Sequence, residues 1–280
     1  RLDDFCQGLQ DLNDRKIRII GDPAQRYRED PVRLLRVVRF SAKLDFEIES
    51  ETRKSIAKMA SNLSHISAPR MFDETLKLYM SGYGLPTFKL LREFNLFAVI
   101  LPQTSRIIEQ GDNLALRLIE QVFANTDLRI INKQRVTPAF IYAALLWPAV
   151  SQLASGLQDR GHSPSMAVNK AGNEVISNQI PITAIPRRFT TAMREIWSLQ
   201  LSLPRRSGQR AKRLSEHPRF RAAYDFVLLR EQAGENLNGL GNWWTRYQEA
   251  DEFEQQEMIK KIDAARPRRL KHRRRKPRSN

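Results

Sequence analysis

The sequence predicts a mainly α protein with one short β segment near its start. Three observations carry that expectation. From Pro31 onward, apolar residues recur at helical spacing, the mark of helices with one buried face. Against them stands a single strand-like run, Ile17-Arg18-Ile19-Ile20, closed by the turn signal Gly21-Asp22-Pro23. The chain has 280 residues and is 41% hydrophobic, enough for one large domain or two modest ones with real cores. No fixed-period repeat is visible.

The elements follow in order. The run 17–20 needs a sheet partner, and the chain offers few other candidates, so its partners are expected upstream of Arg1. Pro31 suits the first position of a helix and Asp30 its N-cap. Ser50 is placed to cap a helix carrying Ile56, Met59, Ala60 and Leu63 on one face. Phe72, Leu76, Tyr79 and Met80 form the next stripe, ended by Gly82 and Gly84. Helices are expected across 88–96 and 113–125. Pro138 to Leu146 is apolar nearly all round and reads as a buried helix that stops at Trp147-Pro148. The segment 151–164, with Gly156 and Gly161, reads as an exposed connector. Helices resume across 166–180, 189–201, 219–229 and 251–262.

The stretch Glu29-Asp30-Pro31-Val32-Arg33-Leu34-Leu35-Arg36-Val37-Val38-Arg39 carries the most chemistry. At 100° per residue Arg33, Arg36 and Arg39 share one ribbon, while Leu34, Leu35, Val37 and Val38 share the opposite arc. Asp30 and Arg33, one turn apart, offer an acceptor beside a forked donor. The Watson–Crick edge of adenine is the complement, an amino donor beside a ring acceptor. Cytosine presents the same order, and guanine and uracil reverse it. The pair therefore selects A and C against G and U and does not separate A from C; a wrong base leaves buried polar groups unpaired. Arg36 and Arg39 are suited to stacking on a base or reaching phosphates. The alternative on pattern alone is an N-capped helix with a solvated Asp–Arg pair.

These residues resemble a known motif. The run Gly21-Asp22-Pro23…Arg26-Tyr27-Arg28-Glu29-Asp30-Pro31-Val32-Arg33…Arg36…Arg39-Phe40 is similar to the nucleotide-reading motif of the bacterial tRNA nucleotidyltransferase/poly(A) polymerase family. Gly8-Leu9-Gln10-Asp11-Leu12…Asp14-Arg15, Leu44-Asp45-Phe46-Glu47-Ile48-Glu49 and the neck segment Ile66-Ser67…Arg70…Glu74…Lys77-Leu78 extend the likeness over about the first hundred residues. The resemblance implies a mainly α protein: a helical neck and body behind a short β remnant of a truncated α/β nucleotidyltransferase head. It implies that Asp30 and Arg33 read the incoming base, with Glu29, Arg36 and Arg39 assisting. Pro69 stands where the family usually has Glu, so no role is carried onto Arg70. The expected organisation is a head remnant at 1–22, a nucleotide-reading neck at 23–82, a helical body at 83–185, a basic helical RNA-binding region at 186–265 and a disordered basic tail at 266–280.

Composition supports a polyanionic partner. The net charge is +16. The last fifteen residues hold nine of the Lys and Arg residues and no acid, so seven of the sixteen excess charges remain in the rest of the chain. Pro186–Arg213 contains Arg187, Arg188, Arg194, Arg205, Arg206, Arg210, Lys212 and Arg213, opposed only by Glu195. With Arg273, Arg274 and Arg275 of the tail, Arg187, Arg188, Arg205, Arg206, Arg210, Lys212 and Arg213 are the candidate RNA-binding residues. Binding through them should weaken steeply with salt. Anionic lipid headgroups are the weaker alternative for the tail. Trp243 and Trp244 read as packing residues, with base stacking as the second reading.

Other chemistry is excluded or absent. Cys6 is the one cysteine, so no internal disulfide forms and no cysteine metal cluster exists; a reducing, cytoplasmic setting is expected. The histidines at 65, 162, 217 and 272 lack ligand spacing. No apolar run approaches a membrane span, so no transmembrane segment is expected. Asp45, Glu47, Glu49 and Glu51 alternate, but they precede a helix, where acids suit the dipole, and they are read as that rather than as a metal site. Nucleotidyl transfer uses metal-bound carboxylates, often Asp-x-Asp, and no Asp-x-Asp occurs in the chain. The first residue is Arg rather than Met, so the chain reads as processed or as a fragment. The resemblance places the catalytic Asp residues, the Gly-Ser loop and Mg²⁺ in the head. This chain alone is therefore expected to be inactive, with no catalytic or metal residues of its own.

The expected function is part of an enzyme adding AMP from ATP to RNA 3′ ends, with RNA, ATP and RNA-decay proteins as partners. The late basic region and tail resemble that branch rather than the tRNA CCA-adding branch. A tRNA CCA-adding enzyme and a non-catalytic RNA-binding helical protein are the alternatives.

Overall fold

A computed structural model describes residues 3–264. The tail at 266–280, with Arg273, Arg274 and Arg275, lies outside the described residues.

The chain opens with α1 (Gly8–Asn13) and β1 (Lys16–Ile17), followed by α2 (Pro23–Glu29) and α3 (Val32–Leu44). β2 (Glu47–Ile48) pairs parallel with β1, Lys16 opposite Glu47 and Ile17 opposite Ile48. The partner expected upstream is thus supplied from within the chain, by the acidic segment after α3. That segment turns at Asp45, which takes a left-handed φ of 54°. Gly21-Asp22-Pro23 also does more than turn the chain. Asp22 accepts the Gln25 N–H at 2.7 Å and Pro23 occupies the first turn of α2, a helix start rather than a bare turn.

α4 (Ser50–Met59) runs into a 3₁₀ segment, Ala60–His65. Its cap is Glu49, one residue before the expected Ser50; the Glu49 carboxylate accepts from the N–H groups of Glu51 and Thr52, each at 3.0 Å. α5 (Ala68–Tyr79) is followed by α6 (Gly84–Glu93), α7 (Leu96–Ile100), α8 (Pro102–Glu109) and α9 (Asn113–Ile131). Gly84 opens α6 instead of ending α5. The Asp127 carboxylate, reaching over from α9, accepts from Gly84 and Leu85 N–H at 2.6 and 2.9 Å. A side chain at Gly84 would meet the Phe123 ring at 3.0 Å.

α10 (Pro138–Asp159) is the axis of the body. The expected stop at Pro148 fails, and the expected connector at 151–164 is helical as far as Asp159. A proline inside a helix loses one backbone bond and crowds the preceding turn. Here two buried donors from neighbouring helices serve carbonyls of that turn: Trp197 Nε1 donates to the Ala143 carbonyl at 2.9 Å and Thr104 Oγ1 to the Leu145 carbonyl at 2.7 Å. α10 is, by length and composition, long and apolar enough to cross a bilayer, contrary to the expectation from sequence. Two thirds of its apolar window is buried inside the protein, against α8, α9, α11 and α12, so packing accounts for its composition.

α11 (Pro164–Gln179), α12 (Arg187–Ser202), α13 (Arg210–Ser215), α14 (Phe220–Gln232), α15 (Leu240–Glu249) and α16 (Glu252–Ala264) complete the chain. One core runs from Tyr27 on α2 to Ala233 after α14. A smaller core gathers Leu199, Leu203, Phe220, Tyr224, Trp244 and Tyr247. Trp244 is fully buried and donates to the Leu203 carbonyl at 3.1 Å, so it packs, as expected. Trp243 is half-buried and stacks on Tyr247.

Candidate nucleotide and nucleic-acid site

The site is built on the elbow between α2 and α3. Tyr27 is completely buried and anchors α2 beneath α4. The chain then extends through Asp30 (φ −146°, ψ 96°) and re-enters a helix at Pro31. Leu34, Leu35, Val37 and Val38 are buried, which leaves Arg33, Arg36 and Arg39 on the outer ribbon, as the periodicity requires. Pro31 is the N-cap of α3, one residue later than expected, and Asp30 Oδ1 accepts the N–H of Val32, the first helical residue, at 3.2 Å.

Asp30 and Arg33 do not pair with each other. Asp30 Oδ2 accepts from Arg70 Nη2 at 3.0 Å. Arg33 Nη1 donates to the Arg26 carbonyl at 2.8 Å and to Glu29 Oε2 at 3.0 Å. Arg26 Nη1 donates to the same Glu29 oxygen at 2.7 Å, and Gln25 Nε2 to the other at 3.2 Å. The Arg33 hydrogen bond, aided by Arg26, holds the Glu29 carboxyl below its ordinary range. The acceptor and the donor are thus each held by a separate neighbour, at side-chain exposures of 25% and 27%. Held apart, both remain available to one ligand edge instead of satisfying each other. Arg36 is exposed, and the Arg39 guanidinium lies over the Phe40 ring at 5.1 Å.

Sequence reasoning named Arg26 and Arg70 within the resembling segments but gave neither a place in this cluster. Arg26 was hidden because Asp22-Pro23 reads as a turn until α2 is recognised as a helix. Arg70 sits in the first turn of α5, after the start signal Ser67-Ala68-Pro69, but nothing in the sequence shows that it faces Asp30.

The structure divides the candidate RNA-binding residues of 186–213 into two groups, with Arg194 between them in the middle of α12, donating to Asn173 at 2.7 Å. Arg187 and Arg188 open α12, exposed, with the Arg188 guanidinium over the Phe189 ring at 4.8 Å. Two cations in the first turn oppose the helix dipole. No side chain caps this end, so its N–H groups and the guanidiniums together suit a phosphate. This end lies against the neck: the Ala184 N–H donates to the Ala68 carbonyl at 3.1 Å, and Phe189 stacks on Phe72. Arg205, Arg206, Arg210, Lys212 and Arg213 lie beyond the far end of α12, a helix of sixteen residues, about 24 Å away along its axis. Arg205, Arg210, Lys212 and Arg213 are exposed. Arg206 is half-buried with its guanidinium over Trp243 at 4.8 Å, and burial lowers its pKa; it packs against the second core as well as adding charge.

Among the described residues, no three His, Cys, Asp or Glu side chains gather where a metal ion could be held. The alternating acids are engaged elsewhere: Asp45 with Arg15, Glu51 with Lys54, and Glu49 as the cap of α4. These residues do not fit the Mg²⁺ of nucleotidyl transfer.

Comparison with known proteins places this geometry. Residues 160–280 match the family described as polymerase A arginine-rich C-terminus, and residues 45–108 match the "probable RNA and SrmB-binding site of polymerase A". The chain is 44% identical to Poly(A) polymerase I of Salmonella typhi over 98% of its own length and 61% of the relative's. With Poly(A) polymerase I of Haemophilus influenzae the identity is 38%, over 95% of the chain and 60% of the relative. The chain therefore spans about three fifths of the length of these relatives. Among solved structures, the Thermotoga maritima CCA-adding enzyme complexed with tRNA superimposes with a TM-score of 0.56 over 88% of the chain and 54% of that structure, at 18% identity. That likeness is one of fold.

Proposed function

Since this chain belongs to the bacterial poly(A) polymerase family, we propose that it supplies the nucleotide-reading and RNA-holding parts of an enzyme that adds AMP from ATP to RNA 3′ ends without a template. In this reading Asp30 accepts from the adenine amino group and Arg33 donates to the adjacent ring nitrogen. Arg70 and Glu29 fix the two side chains, and Arg36 and Arg39 continue the ribbon toward the nucleotide's phosphates. The neck at 23–82 reads the base, the body at 83–185 carries it, and the region 186–265 holds RNA. Mg²⁺ would be bound by carboxylates outside the described residues. RNA-decay proteins are proposed partners, supported by a family description of residues 45–108 that names a protein as well as RNA.

One observation carries the reading. The Ala184–Ala68 backbone bond seats the start of α12 against the start of α5. The Arg187–Arg188 phosphate site and the Arg70–Asp30 base-reading pair therefore flank one junction, so an RNA 3′ end held by the first lies beside a nucleotide held by the second. The deciding experiment joins this chain to an α/β nucleotidyltransferase head and sequences the nucleotides added to generic RNA and to tRNA lacking its CCA end. Runs of A on both support the proposal. Addition of CCA to tRNA and nothing to generic RNA assigns the chain to tRNA repair. No addition by a folded, RNA-binding protein leaves it as a non-catalytic RNA binder.

A further inference from the structure

A groove of about 570 Å³ lies between the end of α9, the loop leading into α10 and the start of α14. It lies where the body meets the 186–265 region, apart from the elbow and from Arg187–Arg188, and outside the basic stretch 186–213. Four guanidiniums line it: Arg129, Arg135, Arg219 and Arg221. The one acid in the lining, Asp225, is shared by two of them, Arg129 at 3.1 Å and Arg221 at 3.0 Å. Arg219 bonds Glu195 on α12 at 2.8 Å. Arg135 is exposed and pairs with no carboxylate among the described residues. Part of the wall is apolar, with half-buried Phe140 presented at the start of α10.

We propose that this groove holds an upstream stretch of single-stranded RNA, with phosphates on Arg135, Arg219 and Arg221 and a base against Phe140. The proposal rests on the RNA-holding role above and deepens it. Cationic excess favours a polyanion over a protein partner. A cavity of this size with an aromatic wall takes an unstacked base rather than a duplex. Arg219 links the groove to α12, and α13, with Arg210, Lys212 and Arg213, lies a few residues upstream in the chain.

The test uses this chain and a fluorescent single-stranded oligoribonucleotide carrying 4-thiouridine at successive positions. Anisotropy titrations across a salt series compare the parent with Arg135→Glu and Arg135→Ala, surface changes in a loop that leave the helices intact. Loss of one charge-assisted contact weakens binding about tenfold. It also lowers the slope of log K against log salt by about 0.7, with Arg135→Glu worse than Arg135→Ala. Crosslinks map to 129–140 and 218–225. Parent chain that binds no RNA overturns the underlying RNA-holding reading. RNA binding with unchanged affinity and slope in both variants, and crosslinks confined to 187–213, overturns the groove alone and turns it toward a protein partner.

Discussion

At the residue scale, Asp30 and Arg33 stand one helical turn apart without pairing with each other. An isolated Asp–Arg pair one turn apart on a helix would close on itself and be worth little. Arg70 takes Asp30 at 3.0 Å and Glu29 takes Arg33 at 3.0 Å, so each is held by its own neighbour rather than by the other. On the proposed reading Arg70 acts through Asp30 and is a positioning residue. Arg70→Ala, in a head-completed enzyme, is expected to lower the ratio of kcat/KM for ATP over GTP by about tenfold, the scale of one charge-assisted contact. Arg70→Lys should keep most of that ratio, because an ammonium still reaches the carboxylate. A purely structural role would reduce both rates equally and leave the ratio unchanged. The arginine ribbon and its buried arc were legible in the sequence because they depend on period alone. The partners of Asp30 and Arg33 were not, because they depend on a helix fold-back forty residues away and on recognising α2.

At the element scale, local signals mislead wherever a neighbouring element supplies what they lack. Pro148 reads as a stop because it lacks an N–H, yet α10 continues to Asp159 with Trp197 and Thr104 donating to carbonyls of the same turn. Gly84 reads as a terminator, yet Asp127 from α9 caps it into a helix start. Of the 17–20 run only Ile17 lies in a strand, together with Lys16, and its partner is a segment whose acids suggest only a helix entry. The clean test is Thr104→Val, which keeps the shape and removes the hydroxyl. With the Leu145 carbonyl left without this buried donor, denaturant unfolding should show a loss of about 1–2 kcal/mol. A neutral result would mean that α10 passes Pro148 without that support.

At the scale of the whole molecule, one core running from Tyr27 to Ala233 makes neck and body a continuous packed unit, so the α2–α3 elbow and the start of α12 keep a fixed relation. Net charge alone pointed to a polyanion, and the basic stretch 186–213 was visible as composition. Its division into two clusters at opposite ends of α12, and the arginines gathered from α9, α14 and the loop between α9 and α10, are products of packing that no local pattern records. On the proposed reading, the Asp30–Arg33 pair chooses the nucleotide. This is tested most directly by joining the chain to an α/β nucleotidyltransferase head and measuring kcat/KM for ATP, CTP, GTP and UTP with parent and Arg33→Ala proteins. The account predicts that the parent prefers ATP to GTP and UTP and that Arg33→Ala reduces that preference by at least about a hundredfold. An Arg33→Ala enzyme that keeps both its rate and its preference for ATP would contradict it.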